Sequence, residues 1–248
     1  MTPPALLAIS HGTDSPTGAG AVATLVDAVA HRLAAQEVPV HAGFVDVQTP
    51  DVPTCLAGLR EAPVEATVVV PLLLSAGYHV HVDLREDVEK AVASGQRVTL
   101  GDALGPDDRL VDLLERRLAE SLPTGLRDDD VVVLAAAGSS DARAVADCET
   151  TAQRLSARIG RTVTVGYLAN ATPRLADVVS DARGKGAAGR VVVATYLLAP
   201  GFFADLAANA GGDVTSAPLL VAGEEAPDEL VDVVVDRYRD APPGDAAA

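Results

Sequence analysis

Two histidines and one carboxylate stand where a parallel α/β chain would present them together. His11 closes the apolar run 5–10, Asp46 lies near the end of a β-like run at 38–47, and His79 follows a third run, 67–74, by a few residues. Open parallel sheets bind ligands at the carboxyl ends of their strands. Two imidazoles and a carboxylate suit a borderline divalent ion such as Fe²⁺, Co²⁺, Ni²⁺ or Zn²⁺. Three protein ligands leave coordination positions open, which a catalytic site needs and a structural site does not. Each residue alone has a plainer reading, because a histidine after a strand is more often a surface or hydrogen-bonding group. His81, two residues past His79, would face away from it on a helix and beside it in an extended turn. It reads as an auxiliary group or as an ordinary exposed histidine, and His31 and His41 read as structural.

Other chemistries find less support. The glycines at 12, 18 and 20 do not form G-x-G-x-x-G, and no G-K-S/T follows. Ser10, Thr13 and Ser75 sit in no G-x-S-x-G elbow. Gly12 and Gly77 are instead expected to allow close backbone approach or a positive φ beside the site.

Positioning these residues requires alternating strands and helices. The pattern predicts strands at 5–10, 38–47, 67–74 and 97–100, with helices at about 18–35, 53–61, 79–94 and 107–120. The order then recurs: strands at 131–136, 162–167 and 190–196 and a short one at 217–221, with helices at about 142–159, 173–183, 202–210 and 227–239. Alternation of this kind means an α/β fold with parallel sheets and helices on both faces. Between the two series, SLPTGLRDDD (121–130) gathers Pro, Gly and three Asp and reads as a linker.

The two series are copies of one unit. GFVDVQTP (43–50) matches GYLANATP (166–173), and VVVPLLLSAGYH (68–79) matches VVVATYLLAPGFF (191–203) with one inserted residue. LAISHGTD (7–14) matches VLAAAGSSD (133–141) less closely. The expected division is 1–124, carrying the metal site, and 125–248, a duplicate without it. In the second copy Ala137, Ala169 and Phe203 stand where His11, Asp46 and His79 stand in the first. All three polar groups vanish while the apolar frame persists, so they act as one unit present once.

Composition limits the partners. The chain has 248 residues, a net charge of −16 and only two lysines, Lys90 and Lys185. No basic patch offers itself to nucleic acid or to an anionic membrane. No apolar stretch approaches the roughly 20 residues of a membrane helix. The N-terminus lacks a basic, signal-like start, so a cytoplasmic protein is expected. Cys55 and Cys148, one per half and neither in C-x-x-C, read as free thiols. With aromatics at 3% and no Trp, the core must be built from Val, Leu and Ala.

His11-Gly12-Thr13, Phe44-Val45-Asp46 and PLLLSAGYHVHVDL at 71–84 together resemble the sirohydrochlorin and cobalt chelatase family, the class II chelatases of tetrapyrrole synthesis. The first half carries the resemblance, and residues 125–248 resemble the degenerate copy of long, two-domain members. The resemblance implies an ATP-independent enzyme without an organic cofactor, which inserts a divalent metal into a polycarboxylate tetrapyrrole. Insertion of Fe²⁺ into sirohydrochlorin gives sirohaem; Co²⁺ or Ni²⁺ insertion into a related macrocycle is the alternative. It implies metal-binding and catalytic roles for His11, His79 and Asp46, the last standing where the family usually has Glu. Thr13, His81 and Arg85 are auxiliary candidates. Asp14 departs from the family's usual Arg, and Asp83-Leu84-Arg85 from its usual D-I-P; Arg85 is a candidate replacement for the missing Arg. A polycarboxylate ligand implies a locally positive cleft between the halves of a monomer. A metal or tetrapyrrole carrier without turnover, a two-lobed solute-binding module and a metal hydrolase are the readings from other classes.

Overall fold

Strands form where the chain is continuously apolar and rich in β-branched residues, and the most buried of them lie at the centre of each sheet. The computed structural model describes residues 2–75, 78–184 and 189–241, without the side chains of residues 78–82. In the first half the elements are β1 (Ala5–Ser10), α1 (Pro16–Leu33), β2 (Val40–Phe44), α2 (Val52–Glu61), β3 (Thr67–Pro71), α3 (Tyr78–Ala93), β4 (Val98–Leu100) and α4 (Asp108–Ser121). The second half has β5 (Val131–Ala136), α5 (Ala142–Ile159), β6 (Val163–Tyr167), α6 (Leu175–Gly184), β7 (Val191–Tyr196), α7 (Phe202–Ala208), β8 (Val214–Thr215) and α8 (Asp228–Asp240). They make two parallel four-stranded sheets, β2-β1-β3-β4 and β6-β5-β7-β8. The strands β1, β3 and β7 are buried along their whole length, as a sheet covered on both faces requires.

The duplication holds in the backbone. Ser10 pairs with Phe44 in the first sheet and Ala136 with Tyr167 in the second, so the sequence match reproduces the register. Helix starts follow local chemistry. Ser15 accepts the Gly18 N–H at 3.3 Å ahead of Pro16, and Asp51 accepts the Thr54 N–H at 2.9 Å ahead of Pro53. Three expectations shift, the first being the third strand, which ends at Pro71 rather than at 74. The second strand is 40–44 rather than 38–47, which leaves Asp46 in the loop beyond it. The last strand is Val214–Thr215, not 217–221. Pro218 has no N–H to donate to a ladder; Leu219 and Leu220 donate instead to the carbonyls of Leu197 and Leu198, beyond the end of β7.

The halves are not separate packages. Helix α8, the last of the second half, packs on α1 and β3 of the first, while α4 packs on α5 and β7 of the second. α4 and α8 also pack on each other, so a layer of helices in the order α1, α8, α4, α5 lies between the sheets. A single apolar core runs through this layer, from Leu6 and Val70 through Leu114 and Val234 to Leu134 and Val192. Each sheet's outer face has its own smaller core: Ile9 and Val69 with Leu56 and Leu84 on one side, Val133 and Val193 with Leu175 and Val179 on the other. Polar clasps cross the same boundary. Arg237 donates to the carbonyls of Ala103 (2.8 Å) and Leu104 (2.9 Å), Arg117 to that of Leu219 (2.9 Å), and the Tyr238 hydroxyl to that of Pro4 (2.7 Å).

The connection between the halves is irregular, and residues 123–129 are exposed or half-exposed turns. It ends at Asp130, whose buried carboxylate accepts from the Arg127 N–H and from the backbone and guanidinium of Arg190. The Arg190 guanidinium, helped by those two N–H groups, holds the Asp130 carboxyl well below the usual carboxylate range against the opposing effect of burial.

Two outcomes follow from this packing. Cleavage within 123–129 should leave both fragments associated on size exclusion, whereas a fragment of residues 1–124 expressed alone should lack a cooperative melt, because α4, α1 and β3 would expose faces that the second half covers. The Asp130 clamp should stabilise fully above the carboxylate's unfolded pKa of roughly 4 and fade as pH falls toward its lowered folded value. The stability difference between wild type and Asp130→Asn, from urea unfolding, should therefore be constant at pH 6–7 and shrink steadily below about pH 4.

Candidate metal centre

In a sheet of order 2-1-3-4 the connections leave β1 and β3 toward opposite sides, which opens a crevice at the carboxyl ends of these two strands. The first half places the loop after β1 (11–15) and the loop after β3 (72–75) at its crevice. In the second half the corresponding crevice lies between β5 and β7, and the two crevices open into one cleft of about 690 Å³. That volume falls in the range of small-molecule sites.

His11 is exposed at the rim, one residue past β1, and Asp46 is exposed two residues past β2. Backbone pairing holds the two loops together beyond the strands: Val45 N–H donates to Ser10 O at 2.9 Å and Asp46 N–H to His11 O at 3.1 Å. Gly12 makes this approach feasible. Its φ is +90°, and a Cβ there would lie 2.3 Å from the Asp46 carbonyl oxygen. The turn then closes on itself. Asp46 Oδ1 accepts from Val47 N–H at 2.7 Å, and Val47 takes a φ of 62°. The Gln48 side chain accepts from Thr13 N–H at 2.9 Å, and Thr13 Oγ1 accepts from Ser15 N–H at 3.1 Å. Thr13 therefore ties the His11 loop to the Asp46 loop and lines the cleft.

The second half repeats the scaffold without the donors. Leu168 N–H donates to Ala136 O at 3.0 Å and Ala169 N–H to Ala137 O at 2.9 Å. Gly138 has a φ of +91°, and a Cβ there would lie 1.9 Å from the Ala169 oxygen. Ala137 and Ala169 thus take the geometric places of His11 and Asp46. Phe203 is the second residue of α7, as His79 is the second residue of α3.

His79 and His81 fall on the first turn of α3, and their side chains lie outside the described residues, as does Gly77. Among the described residues, no three His, Cys, Asp or Glu side chains gather closely enough to hold a metal ion. The described structure therefore brings His11 and Asp46 onto adjoining loops and His79 onto the helix after the neighbouring strand. Arg85 is exposed on α3 and is not among the described residues that line the cleft. His31 and His41 are exposed, away from the cleft.

The expected positive cleft is not found. Among the described lining residues there is no Arg or Lys, and the only carboxylate is Asp14. The rest are small, hydroxyl-bearing or apolar. The arginines are engaged elsewhere: Arg32, Arg109, Arg116, Arg154 and Arg158 pair with carboxylates across the two halves.

Three features of the cleft escaped the sequence. Tyr196, at the end of β7, donates its hydroxyl to Leu74 O at 2.9 Å, so the second half holds the loop that leads to α3. Gly105 leaves room for that hydroxyl, since a Cβ there would lie 2.3 Å from it. Gly18 of α1 abuts the Pro200 carbonyl so closely that a side chain there would clash with it. None has a local sequence signal, because each contact joins residues far apart in the chain. Cys148 also lines the cleft wall, and burial pushes its thiol up to about 12, which removes it from thiolate chemistry near neutral pH.

Comparison with known proteins agrees with this architecture. A sirohydrochlorin ferrochelatase of Priestia megaterium is 28% identical over 201 residues, covering 79% of this chain and 74% of the relative. A sirohydrochlorin cobaltochelatase of Methanosarcina acetivorans is 30% identical over 126 residues, covering 47% of this chain and 95% of the relative. The fold resembles that of SirB from Bacillus subtilis with Fe³⁺, with a TM-score of 0.76 at 21% identity, over 96% of this chain and 95% of that one. The CbiX family matches residues 5–121 and 131–208, one segment in each half, and the chain belongs to the CbiX family.

Proposed function

We propose that this protein inserts a divalent metal, Fe²⁺ in the first place, into sirohydrochlorin to give sirohaem, without ATP. One observation carries the reading: the backbone pairing that joins His11, at the crevice rim, to Asp46 on the adjoining loop, repeated in the second half around Ala137 and Ala169. The named ferrochelatase and cobaltochelatase relatives support the same chemistry. In this reading residues 1–124 carry the metal site, and 125–248 supply the opposing wall.

His11, His79 and Asp46 hold the incoming ion and leave positions open for the pyrrole nitrogens. Insertion also releases two pyrrole N–H protons: once the ion has passed to the macrocycle, an imidazole of His11 or His79 accepts one and solvent water the other. Asp46 ligates the ion or orients a histidine toward it. Thr13 holds the His11 and Asp46 loops in register, and His81 acts as an auxiliary group; Arg85, exposed outside the described cleft lining, has no part in this reading. The enzyme works as a cytoplasmic monomer, because the second half already provides a partner wall. Among the described residues, no helix is long and apolar enough to cross a membrane. Cobalt insertion is the second reading, favoured by the cobaltochelatase name of the relative that matches half of this chain.

The decisive experiment adds anaerobic sirohydrochlorin to the purified protein with Fe²⁺, Co²⁺ or Ni²⁺ in turn and follows the macrocycle absorption. Enzyme-dependent insertion, fastest with Fe²⁺, is expected. Spectral binding without turnover would make the protein a carrier instead. His11→Ala and His79→Ala should each lower the rate about 100-fold or more, as loss of a general base or ligand does, with unchanged thermal melts. Asp46→Ala should match them if Asp46 is a ligand and cost about tenfold if it only orients one. His81→Ala should lose least, and Ala137→His should create no second site. Full activity in the His11→Ala/His79→Ala double variant would refute the assignment.

A further inference from the structure

The chain contains three phenylalanines, and two of them, Phe202 and Phe203, stand next to each other at the mouth of the cleft. Phe202 is 69% exposed and Phe203 39%, and Leu206, one turn along α7, is 38% exposed. Their rings meet edge to face, with centroids 5.7 Å apart. In a protein this poor in aromatics, large rings left in water hold burial energy that the fold itself does not use. They open the helix that corresponds to α3, so the second half has an aromatic pair where the first has Tyr78 and His79. Val47, 49% exposed, is the matching apolar group on the lip of the first half.

We propose that Phe202 and Phe203 form the platform on which the conjugated face of the tetrapyrrole rests, while its carboxylates project toward solvent. The inference rests on the chelatase reading and deepens it, since it names the part of the substrate that the second half recognises. The occupant follows from the lining. The rings are continuous with the cleft, and the described cleft walls offer no cation to grip carboxylates and one anion, Asp14, to repel them. What such walls can hold is a flat, polarisable, uncharged surface, and a conjugated macrocycle stacks on aromatic rings in that way. The second half thereby acquires a role after losing its metal donors: it binds the organic partner opposite the half that delivers the ion. Phe202 and Phe203 are substrate-binding residues with no part in the proton and metal transfers assigned to His11 and His79.

The test titrates metal-free protein with sirohydrochlorin, followed by macrocycle absorbance, for wild type, Phe202→Ala/Phe203→Ala and Phe202→Tyr/Phe203→Tyr. The alanine pair should weaken binding by about tenfold or more, and the tyrosine pair, which keeps the rings, should stay within about threefold of wild type. In steady-state insertion the alanine pair should raise KM for the macrocycle with kcat nearly unchanged, and Co²⁺ binding to the protein alone should not move. Should the alanine pair fail to melt as wild type does, Phe202→Ala alone carries the test, because that ring is mostly in water. Equal affinity in wild type and the alanine variants overturns the platform and leaves the chelatase reading standing. A wild type that binds no sirohydrochlorin overturns both. A wild-type dimer in sedimentation that the alanine pair dissolves, with macrocycle binding unchanged, assigns the patch to a second copy of the chain and also overturns the proposal.

Discussion

The structure depends on the reciprocal burial of α4 and α8. Each terminal helix of a half carries a broad apolar face: Leu110, Leu113, Leu114 and Leu118 on α4, and Leu230, Val231, Val234 and Val235 on α8. A face this broad cannot be covered by one sheet alone, because a helix packed on a surface hides only a stripe of about 100°. Exchange between the halves, together with contact between the two helices, covers the remainder. The two sheets are thereby bound through one core, and the orientation of their crevices is set by helix packing rather than by the linker.

That arrangement explains why a degenerate half persists. The second half lacks the histidine and aspartate yet keeps the turn geometry of Gly138 and the pairing of Ala169 with Ala137. Its contribution is made across the boundary. Tyr196 holds the Leu74 carbonyl, Pro200 seats against Gly18, and α4 and α8 close the common core. A single-half ancestor would need a second copy to form such a cleft. Here the second copy is covalently attached, with Ala137 and Ala169 where the first half has His11 and Asp46, and with Phe202 and Phe203 lining the cleft.

Charge follows the same logic. Several arginines lie at the seam between halves, where Arg109 and Arg154 reach carboxylates, and Arg237 and Arg117 loop carbonyls, of the opposite half. Exposed pairs of this kind contribute little individually. Their value lies in register, since each joins residues far apart in sequence. The described cleft walls are left without an Arg or Lys.

The sequence by itself determined the alternation of strands and helices and the internal repeat, and it singled out His11, Asp46 and His79 as candidates for chemistry. These are encoded locally: continuous valine runs in β3 and β7, small residues at strand ends, and two histidines and an aspartate where the duplicate has Ala137, Ala169 and Phe203. Strand limits were less legible, because β2 stops where its loop begins to pair with the His11 loop, and β8 forms ahead of Pro218 rather than across it. The exchange of α4 and α8, the Tyr196 contact and the absence of cations from the described cleft walls were decided by tertiary structure alone. No local pattern states which of two similar sheets a helix will cover, or whether an arginine will turn toward a ligand or a seam. Those outcomes depend on which apolar faces meet and on where carboxylates lie in space.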